Sequence, residues 1–446
     1  MFDNKDKNKN IEIITGDPKV AIRKLSIPMM LSMVLIMMYN LADSIWVAGL
    51  GSDALAAIGF ITPLFMVLIG LGHGIGAGAN SLIARYIGGE DPAKANNAGL
   101  HGIVLSIIVS IVFTILMLLA MKPILIARGA GKTMSYAYRY GNIVFGFLIV
   151  FVFSAVLSAV FRSEGDMKRA VIPIAATSIL NIILDPIFIY YLNLGIEGAA
   201  WATVISSAVS ILIMSYWIWI KKDLSLDLSS TLENIIFSTL AVIVNTMLVM
   251  VSGTDAVAAY TAAMRIVQMC MIPMMGIGTA LLTISGVAYG AHNYKNLKTG
   301  YNYAVKQGFI ISIVLAILMI VFCNQIASIF SYTSASASLG PQIAYSIRIL
   351  SLFVVAIPHG IMSSMMFQGV GKGPKALKVT LLRSLAFESI LAYLFGFVLG
   401  FGLIGIYAGI ILGCFLGGTV GFIWSKLFID KFQILSKDRY ENTGAK

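Results

Sequence analysis

Charged residues are scarce in this chain of 446 residues, of which only 11% are Asp, Glu, Lys or Arg. An ordinary soluble domain has about 25%. Long stretches carry no charge at all, and 59% of the residues are hydrophobic. A soluble core cannot hide so much apolar surface. The composition therefore excludes an ordinary soluble protein and predicts a polytopic helical membrane protein.

Several chemical signatures are also missing. The sequence has no glycine-rich loop followed by Lys-Ser/Thr, which excludes an ATPase motor on this chain. It has no cluster of metal ligands and no nucleophile with a matching base. The cysteines Cys270, Cys323 and Cys414 all lie in apolar runs, which favours buried small residues over a disulfide or metal set. We therefore expect neither an enzyme nor a cofactor.

The hydrophobic segments predict twelve membrane spans, because each is long enough to cross a bilayer at about 20 residues. Their limits are 25–50, 55–85, 99–121, 138–161, 170–191, 197–220, 232–252, 256–289, 303–323, 342–368, 377–399 and 403–427. The net charge of +11 comes mostly from basic residues between alternate spans and at the two ends, not from a stripe mixed with aromatics. This distribution indicates cytoplasmic loops rather than a surface for nucleic acid. We expect a multi-pass plasma-membrane protein with both termini in the cytoplasm.

The two halves of the chain resemble each other. Residues 53–57 read DALAA and residues 255–259 read DAVAA, and a Gly-Ile-Gly triplet recurs at the same offset. Each half holds six predicted spans, so the repeats run parallel. This repeat predicts a cytoplasmic tail at 1–24, an N-terminal lobe at 25–220, a cytoplasmic linker at 221–231, a C-terminal lobe at 232–428 and a second tail at 429–446.

Three acids, Asp43, Asp185 and Glu388, stand inside apolar runs. A carboxylate in such a place costs about 2.5–3.5 kcal/mol on insertion scales, so a partner, water or a carried ion must offset it. Asp43 aligns with Asn245 in the repeat, and no acid matches Asp185. The titratable chemistry is therefore predicted in the N-terminal lobe, and the pattern points to ion-coupled transport.

Asp43 and Asp185 each have a polar residue four positions earlier, Tyr39 and Asn181, so each pair shares a helix face. A phenol can hydrogen-bond a carboxylate, and a carboxylate beside an amide suits Na⁺ or a protonated water. Plainer interpretations stay open. Asp43 could cap a helix near headgroup water, and Asp185 followed by Pro186 could simply end a helix.

The second half offers a smaller set of polar residues. Glu388 could form a structural ion pair with Arg265 or Arg348, or it could act on substrate or protons. His359 lies in an apolar helix, where a hydrogen bond to a neighbouring helix is the simpler role.

These residues together resemble the multidrug and toxic compound extrusion (MATE) family. The best matches are YNLADSIWVAGLGSDALAAIG, NIILDPIFIYYLNLGIEGAAWATVIS and an F-x-x-x-G-x-x-K/P pattern after spans 4 and 10, and the likeness runs from about residue 20 to 428. The resemblance implies an all-α fold of twelve transmembrane helices in two pseudosymmetric six-helix lobes around a V-shaped cleft. It also implies a monomeric secondary antiporter that exports cationic amphipathic compounds in exchange for H⁺ or Na⁺.

Within the family the chain is more similar to the DinF-type branch than to the NorM-type branch. That likeness implies a coupling-ion site formed by Asp43, Asp185, Asn181, Thr203 and Tyr39. If the ion is Na⁺, its ligands would be Asp43, Asn181, Asp185 and Thr203. Pro28 matches the proline at which the first span bends. The C-terminal acids of the NorM-type branch have no match, and Glu388, Arg265 and His359 stand there as substrate or structural residues.

Two rival functions differ in class. A flippase for a lipid-linked precursor would need a cleft lined by Arg and Lys to hold pyrophosphate, whereas the cleft candidates here are mainly acidic. A receptor or membrane enzyme without transport activity conflicts with the missing catalytic set and with the two-lobe repeat.

Overall fold

The computed structural model describes residues 4–127, 131–220, 231–331 and 339–443, and within these ranges all regular structure is helical. The α-helices are α1 (Asn4–Thr15), α2 (Pro18–Ala48), α3 (Ser52–Gly88), α4 (Pro92–Ala127), α5 (Met134–Gly146), α6 (Leu148–Ser163), α7 (Met167–Pro186), α8 (Ile196–Ile220), α9 (Thr231–Gly290), α10 (Tyr294–Val321), α11 (Cys323–Phe330), α12 (Gly340–Ala356), α13 (Pro358–Gly369), α14 (Gly373–Leu381), α15 (Ser389–Tyr393) and α16 (Gly402–Thr443). Three π-helical segments are π1 (Ile187–Tyr191), π2 (Leu382–Glu388) and π3 (Leu394–Val398), and a 3-10 turn covers Gly131–Thr133.

Membrane-crossing length and hydropathy recur along the described residues. Ten helical segments are long and apolar enough to span a bilayer, and α5 with α6 makes an eleventh if this pair, bent by 47°, is counted as one span. The predicted all-helical polytopic fold is therefore confirmed. Each of the eleven corresponds to one of the twelve predicted spans. Predicted span 7, at 232–252, lies in a stretch where most side chains are outside the described residues.

Helix α9 differs from the expectation of two spans with a loop at 253–255. It runs unbroken for 60 residues from Thr231 to Gly290. At 1.5 Å per residue that is about 90 Å, roughly three times the thickness of the hydrocarbon core. The glycine at position 253 did not end the helix, because a single glycine costs only about 1 kcal/mol inside a helix. The predicted linker at 221–231 falls almost wholly outside the described residues, which resume at Thr231.

The chain forms two compact units. The first contains residues 1–15 and 27–234, and the second contains residues 16–26 and 235–446. The start of α2 thus packs with the second unit, and the chain passes to the first unit between Ser26 and Ile27, directly before Pro28.

Helices α3 and α6 approach closely inside the first unit. A β-carbon on Gly72 would lie 3.1 Å from Val152 Cα, and one on Gly76 would lie 3.0 Å from the Ala159 side chain. Small residues let helix backbones come together in a membrane, where apolar burial alone does not drive association. The core of this unit is built around this contact, and Ile75, Leu148, Val152 and Val156 are all buried in it.

Long apolar side chains cover one face of the outer helices in the first unit. On α2 this exposed face carries residues spaced by three or four: Ile27, Leu31, Val34, Met38, Leu41 and Ile45. Helix α7 repeats the pattern with Ile172, Ile179, Ile183. Because the hydrocarbon of a bilayer surrounds a spanning helix, such faces contact lipid. Several polar residues of these helices are buried instead, among them Ser32 on α2 and Ser178, Asn181 and Asp185 on α7.

A row of glycines joins α16 to its neighbours in the second unit. Gly405, Gly409, Gly413 and Gly417 recur every four residues on one face of α16. Each packs directly on backbone atoms of the segment from π2 to π3. A β-carbon on Gly413 would overlap the Cα atom of Glu388, and one on Gly417 would overlap that of Arg383. The glycine row therefore fixes the position of the polar residues on π2.

Replacing Gly413 by Ala should destabilise the protein, because the new methyl group would overlap the Glu388 backbone. Overpacking of this kind costs about 1–3 kcal/mol. Gly59→Ala is the matched control, since Gly59 also lies inside a helix and has nothing within 4 Å of its β-carbon position. Thermal unfolding of the purified protein in detergent measures both. Equal unfolding temperatures for the two variants would contradict the packing described for α16.

Candidate functional site

Asp185 lies at the end of α7 in a small cluster of polar side chains. Its exposed fraction is 0%, and Asn181 on the same face is equally buried. The Asn181 side-chain amide donates to Asp185 Oδ1 at 3.4 Å and to Thr203 Oγ1 at 3.3 Å. Thr203 in turn donates to the carbonyl of Ala199 at 3.0 Å. The structure thus brings Asn181, Asp185 and Thr203 together. Helical spacing predicts the first two, and the resemblance to the MATE family adds Thr203.

The turn after Asp185 connects α7 to the end of α2. Pro186 closes α7, and π1 begins at the next residue. On π1, Tyr190 donates its hydroxyl hydrogen to the Trp46 carbonyl at 2.6 Å, and the two rings meet edge to face at 6.3 Å. Gly49 makes room for this contact, because a β-carbon there would overlap the Tyr190 hydroxyl. The π1 segment that follows Pro186 is thereby held against the end of α2.

Asp43 lies on α2 one turn before Trp46. It is partly buried, on a different face from the lipid-contacting residues of that helix. It lies near enough to Asp185 for the two carboxylates to interact electrostatically. Tyr39 and Tyr140 lie within electrostatic range of both acids. The fold therefore brings Asp43, Asp185 and Tyr39 into the same region of the first unit.

Asn40, beside Tyr39 on α2, donates its side-chain amide to the carbonyl of Ile36 at 2.8 Å. Asp43 Oδ1 has no hydrogen-bond donor among the described residues. Tyr140 on α5 is a site residue that sequence reasoning missed. It stands alone in its segment without an acid or amide at helical spacing, so only the fold brings it here.

Three buried acceptor oxygens in this region lack a hydrogen-bond donor among the described residues. They are Asp43 Oδ1, Asn181 Oδ1 and Asp185 Oδ2. A buried acceptor without a donor is costly, and a buried carboxylate more so. Two carboxylates, an amide and a hydroxyl offer only oxygen atoms as ligands. Such a set of ligands fits a hard cation such as Na⁺, and either carboxylate can instead hold a proton.

Pro28 lies inside α2, which the structure shows as one unbroken helix from Pro18 to Ala48. Proline removes one backbone hydrogen bond and weakens the helix at that point. The passage of the chain between the two units directly before Pro28 puts this weak point where α2 changes partners. A role for Pro28 in bending remains a prediction.

In the second unit, Glu388 pairs with an arginine that sequence reasoning missed. Arg383 Nε lies 3.6 Å from Glu388 Oε1, and the two side chains are only 6% and 2% exposed. The prediction that Glu388 pairs with Arg265 or Arg348 was therefore wrong. Arg265 is exposed, and Arg348 donates to Cys323 Sγ at 2.9 Å and to Asn324 Oδ1 at 3.3 Å.

The reason for this pairing is the π2 segment. In an α-helix, residues five apart point about 140° away from each other. A π-helical turn has its hydrogen bonds between residues i and i+5 and brings such residues to the same side. Ser389 shows the same spacing, since its hydroxyl donates to the Ser384 carbonyl at 3.1 Å. Nothing in the apolar run signals a π-helical turn, so the sequence did not point to Arg383.

His359 has the structural contact expected of an interhelical hydrogen bonder. Its Nε2 lies 3.0 Å from the Phe415 carbonyl and 3.3 Å from Thr419 Oγ1, both on α16. Its ring also stacks on Phe309 with centroids 5.5 Å apart. Glu388 is likewise engaged by Arg383, and the nearby Cys414 thiol donates to the carbonyl of Ala356 at 3.7 Å. These contacts favour a structural role for the pair and for His359.

Comparison with known proteins adds a family and two kinds of relative. The MatE family model matches residues 28–187 and 229–394. Multidrug export protein MepA of Staphylococcus saprophyticus is 26% identical over 443 residues, which covers 92% of this chain and 95% of MepA. An FAD transporter of Shewanella oneidensis is 24% identical over 362 residues, which covers 76% and 78%. The matched regions include both units.

Solved structures give the same result. A MOP superfamily transporter from Pyrococcus furiosus is 36% identical and superposes with a TM-score of 0.92, covering 95% of this chain and 99% of its own. Its binding pocket is described as having reverse polarity, which suggests a different function for that protein. This likeness extends over nearly the whole of both chains.

The buried pair in the second unit supplies a stability test. Arg383→Met should lower the free energy of unfolding by about 3–5 kcal/mol, because it leaves the Glu388 carboxylate buried without its cation. The double variant Arg383→Met with Glu388→Gln should recover much of that loss, since no isolated charge remains. Arg265→Met, at an exposed position, should change stability by less than about 0.5 kcal/mol. Unfolding in detergent compares the three, and a double variant no more stable than Arg383→Met would argue against the ion pair.

Proposed function

The chain belongs to the MatE family of membrane transporters, and we propose that it is a secondary antiporter that exports cationic amphipathic compounds in exchange for H⁺ or Na⁺. It is a multi-pass membrane protein and a transporter rather than an enzyme. The direction of export and the drug-like substrates are inferred from relatives such as the multidrug export protein MepA.

One observation carries this proposal, namely the three donor-less buried oxygens on Asp43, Asn181 and Asp185. A permanent structural site would have satisfied them with protein donors, as buried polar groups usually are. A site that must bind and release a cation has to leave them free. A cation that binds there satisfies these oxygens and offsets the cost of burying them.

The exchange follows from charge. Two carboxylates within electrostatic range repel each other when both are ionised. A proton or Na⁺ relieves this repulsion, and so does a bound cationic compound. Because both ligands use the same negative charge, binding of one weakens binding of the other. Competition at Asp43 and Asp185 therefore couples uptake of the ion to release of the compound, and no further coupling site is needed.

We infer that Pro28 lets α2 change shape when the site is neutralised. Asp43 lies on the same helix as Pro28, so an altered charge state at one position can alter the packing of the helix at the other. The location of both acids in the first unit also supports placement in the DinF-type branch. We also propose that both termini lie in the cytoplasm, from the distribution of basic residues, and that the protein is a monomer, from the family resemblance.

The rival proposal is transport of an anionic substrate, such as a lipid-linked precursor. Two relatives support this rival: the FAD transporter of Shewanella oneidensis and the Pyrococcus furiosus protein whose pocket has reverse polarity. The carboxylates of Asp43 and Asp185 would repel a phosphate, which favours the cationic substrate here.

Replacing Asp43 or Asp185 by Asn should abolish coupled export, because each change removes one of the two charges for which ion and compound compete. Efflux of ethidium from energised membrane vesicles measures this, with a pH gradient and a Na⁺ gradient imposed separately. We expect wild-type efflux under one gradient, which names the ion, and a loss of at least about tenfold in either variant. Asp53→Asn is the matched control, since Asp53 is an exposed acid on α3 outside the site.

Export that persists in both Asp43→Asn and Asp185→Asn would overturn the competition mechanism. Failure of wild-type protein to move ethidium under either gradient would overturn the cationic substrate class. An anionic probe such as FAD in the same vesicles would then test the rival. Equal amounts of each variant in the membrane, measured by fluorescence-detected size exclusion, show that folding is not the cause.

A further inference from the structure

A small polar cavity lies on the second unit, and the Arg383–Glu388 pair takes no part in its lining. It has a volume of about 150 Å³ and is lined by Lys298, Asn302, Lys426, Ile429 and Asp430. Lys298 and Asn302 come from α10, and the other three come from α16. Two helices that are both candidate spans thus form it together.

The charges of the cavity do not cancel. Lys298 Nζ lies 3.2 Å from Asp430 Oδ1, and both side chains are about half exposed. The Lys426 ammonium lies 4.8 Å from the centre of the Phe422 ring, which holds it on the same side of α16. Lys306, one turn beyond Asn302 on α10, is also exposed. After Lys298 and Asp430 are paired, the region keeps a positive charge.

Apolar surface begins directly beside this positive cavity. Along α10, the exposed apolar residues after Lys306 include Ile310, Ile313 and Ile317, and Val314, Leu318, Ile320 and Val321 are exposed as well. Along α16, those before Lys426 include Leu416, Val420 and Ile423, and Ile404, Leu412 and Phe415 are exposed as well. Within these wider apolar faces, the spacing of three and four residues puts the first three residues of each set in a stripe on its own helix. Two apolar stripes therefore lead away from one basic cavity into the bilayer.

We propose that this cavity binds the phosphate headgroup of an anionic phospholipid, whose acyl chains lie along the apolar stripes of α10 and α16. Basic pockets between spanning helices bind anionic lipid headgroups through Lys and Arg. A volume of about 150 Å³ is about five times the volume per molecule in liquid water, which suits a phosphate group with part of its glycerol.

A soluble phosphate compound would satisfy the lysines but not the stripes. Ile310 and Ile423 gain nothing from a small anion in water, whereas a lipid contacts the basic cavity and both apolar stripes at once. The excess of basic residues at this end of the spans predicts the cytoplasmic leaflet, where the surface carries anionic lipids. Lipid binding at this cavity does not depend on which compound the protein transports.

The test uses the full-length protein and a charge-matched pair of variants. Lys298→Gln with Lys426→Gln removes two charges that line the cavity. Lys295→Gln with Lys431→Gln removes two exposed charges from the same two helices, outside the residues that line it. Binding of phosphatidylglycerol, phosphatidylcholine and inorganic phosphate is measured by native mass spectrometry, and thermal unfolding is followed with each ligand added.

Retention of phosphatidylglycerol should fall about fivefold for each cavity lysine removed. The reason is that one basic residue near an anionic membrane surface contributes about 1 kcal/mol to binding. The control variant should bind as wild type does, and phosphatidylcholine should be retained more weakly by all three. Equal losses in both double variants would overturn the proposal in favour of general attraction to charge. Equal retention of both lipids would overturn it as well, and stabilisation by inorganic phosphate alone would replace the lipid with a soluble anion.

Discussion

The cost of placing charge inside a membrane is the constraint on which the rest of this structure depends. The hydrocarbon core offers no water to a carboxylate or a guanidinium, so each needs an ion-pair partner within the protein or a bound ligand. The described spans contain few such groups, and the two units treat them differently. The way each charge is satisfied therefore indicates which part of the molecule is scaffold and which part exchanges ligands.

The second unit satisfies its charge internally. Arg383 stands 3.6 Å from Glu388, and the glycine row of α16 packs against the backbone that carries both residues. Removing either member would leave the other charge buried without its partner, which makes the pair a poor candidate for a group that must titrate or move. The first unit also pairs charges, such as Arg169 with Asp166, but it leaves carboxylate and amide oxygens of Asp43, Asn181 and Asp185 without donors among the described residues.

Regular helical spacing is the part of the site that the sequence alone could predict. Asn181 and Asp185 are four residues apart, and their side chains meet at 3.4 Å as that spacing requires. Thr203 lies on another helix, so only the likeness to a family linked it to them. Arg383 was missed because its contact needs a π-helical turn, and the run of apolar residues around it predicts an ordinary helix.

The same limit explains the differences in the fold. Periodicity and length predicted eleven segments that the structure shows as spans, since both are properties of the chain itself. They could not show that α5 and α6 bend by 47°, or that α9 continues past position 253, because both depend on the contacts of the folded chain.

Buried oxygens without donors raise the free energy of the folded state, and packing elsewhere in the first unit has to offset that cost. Close contacts in this unit include α3 against α6 through Gly72 and Gly76, and Tyr190 against Trp46. Under the proposed exchange mechanism, a cation that binds at Asp43 and Asp185 stabilises the folded protein. The same mechanism links stability to transport, since a change that satisfied the oxygens permanently would make the protein more stable and the exchange of ligands slower.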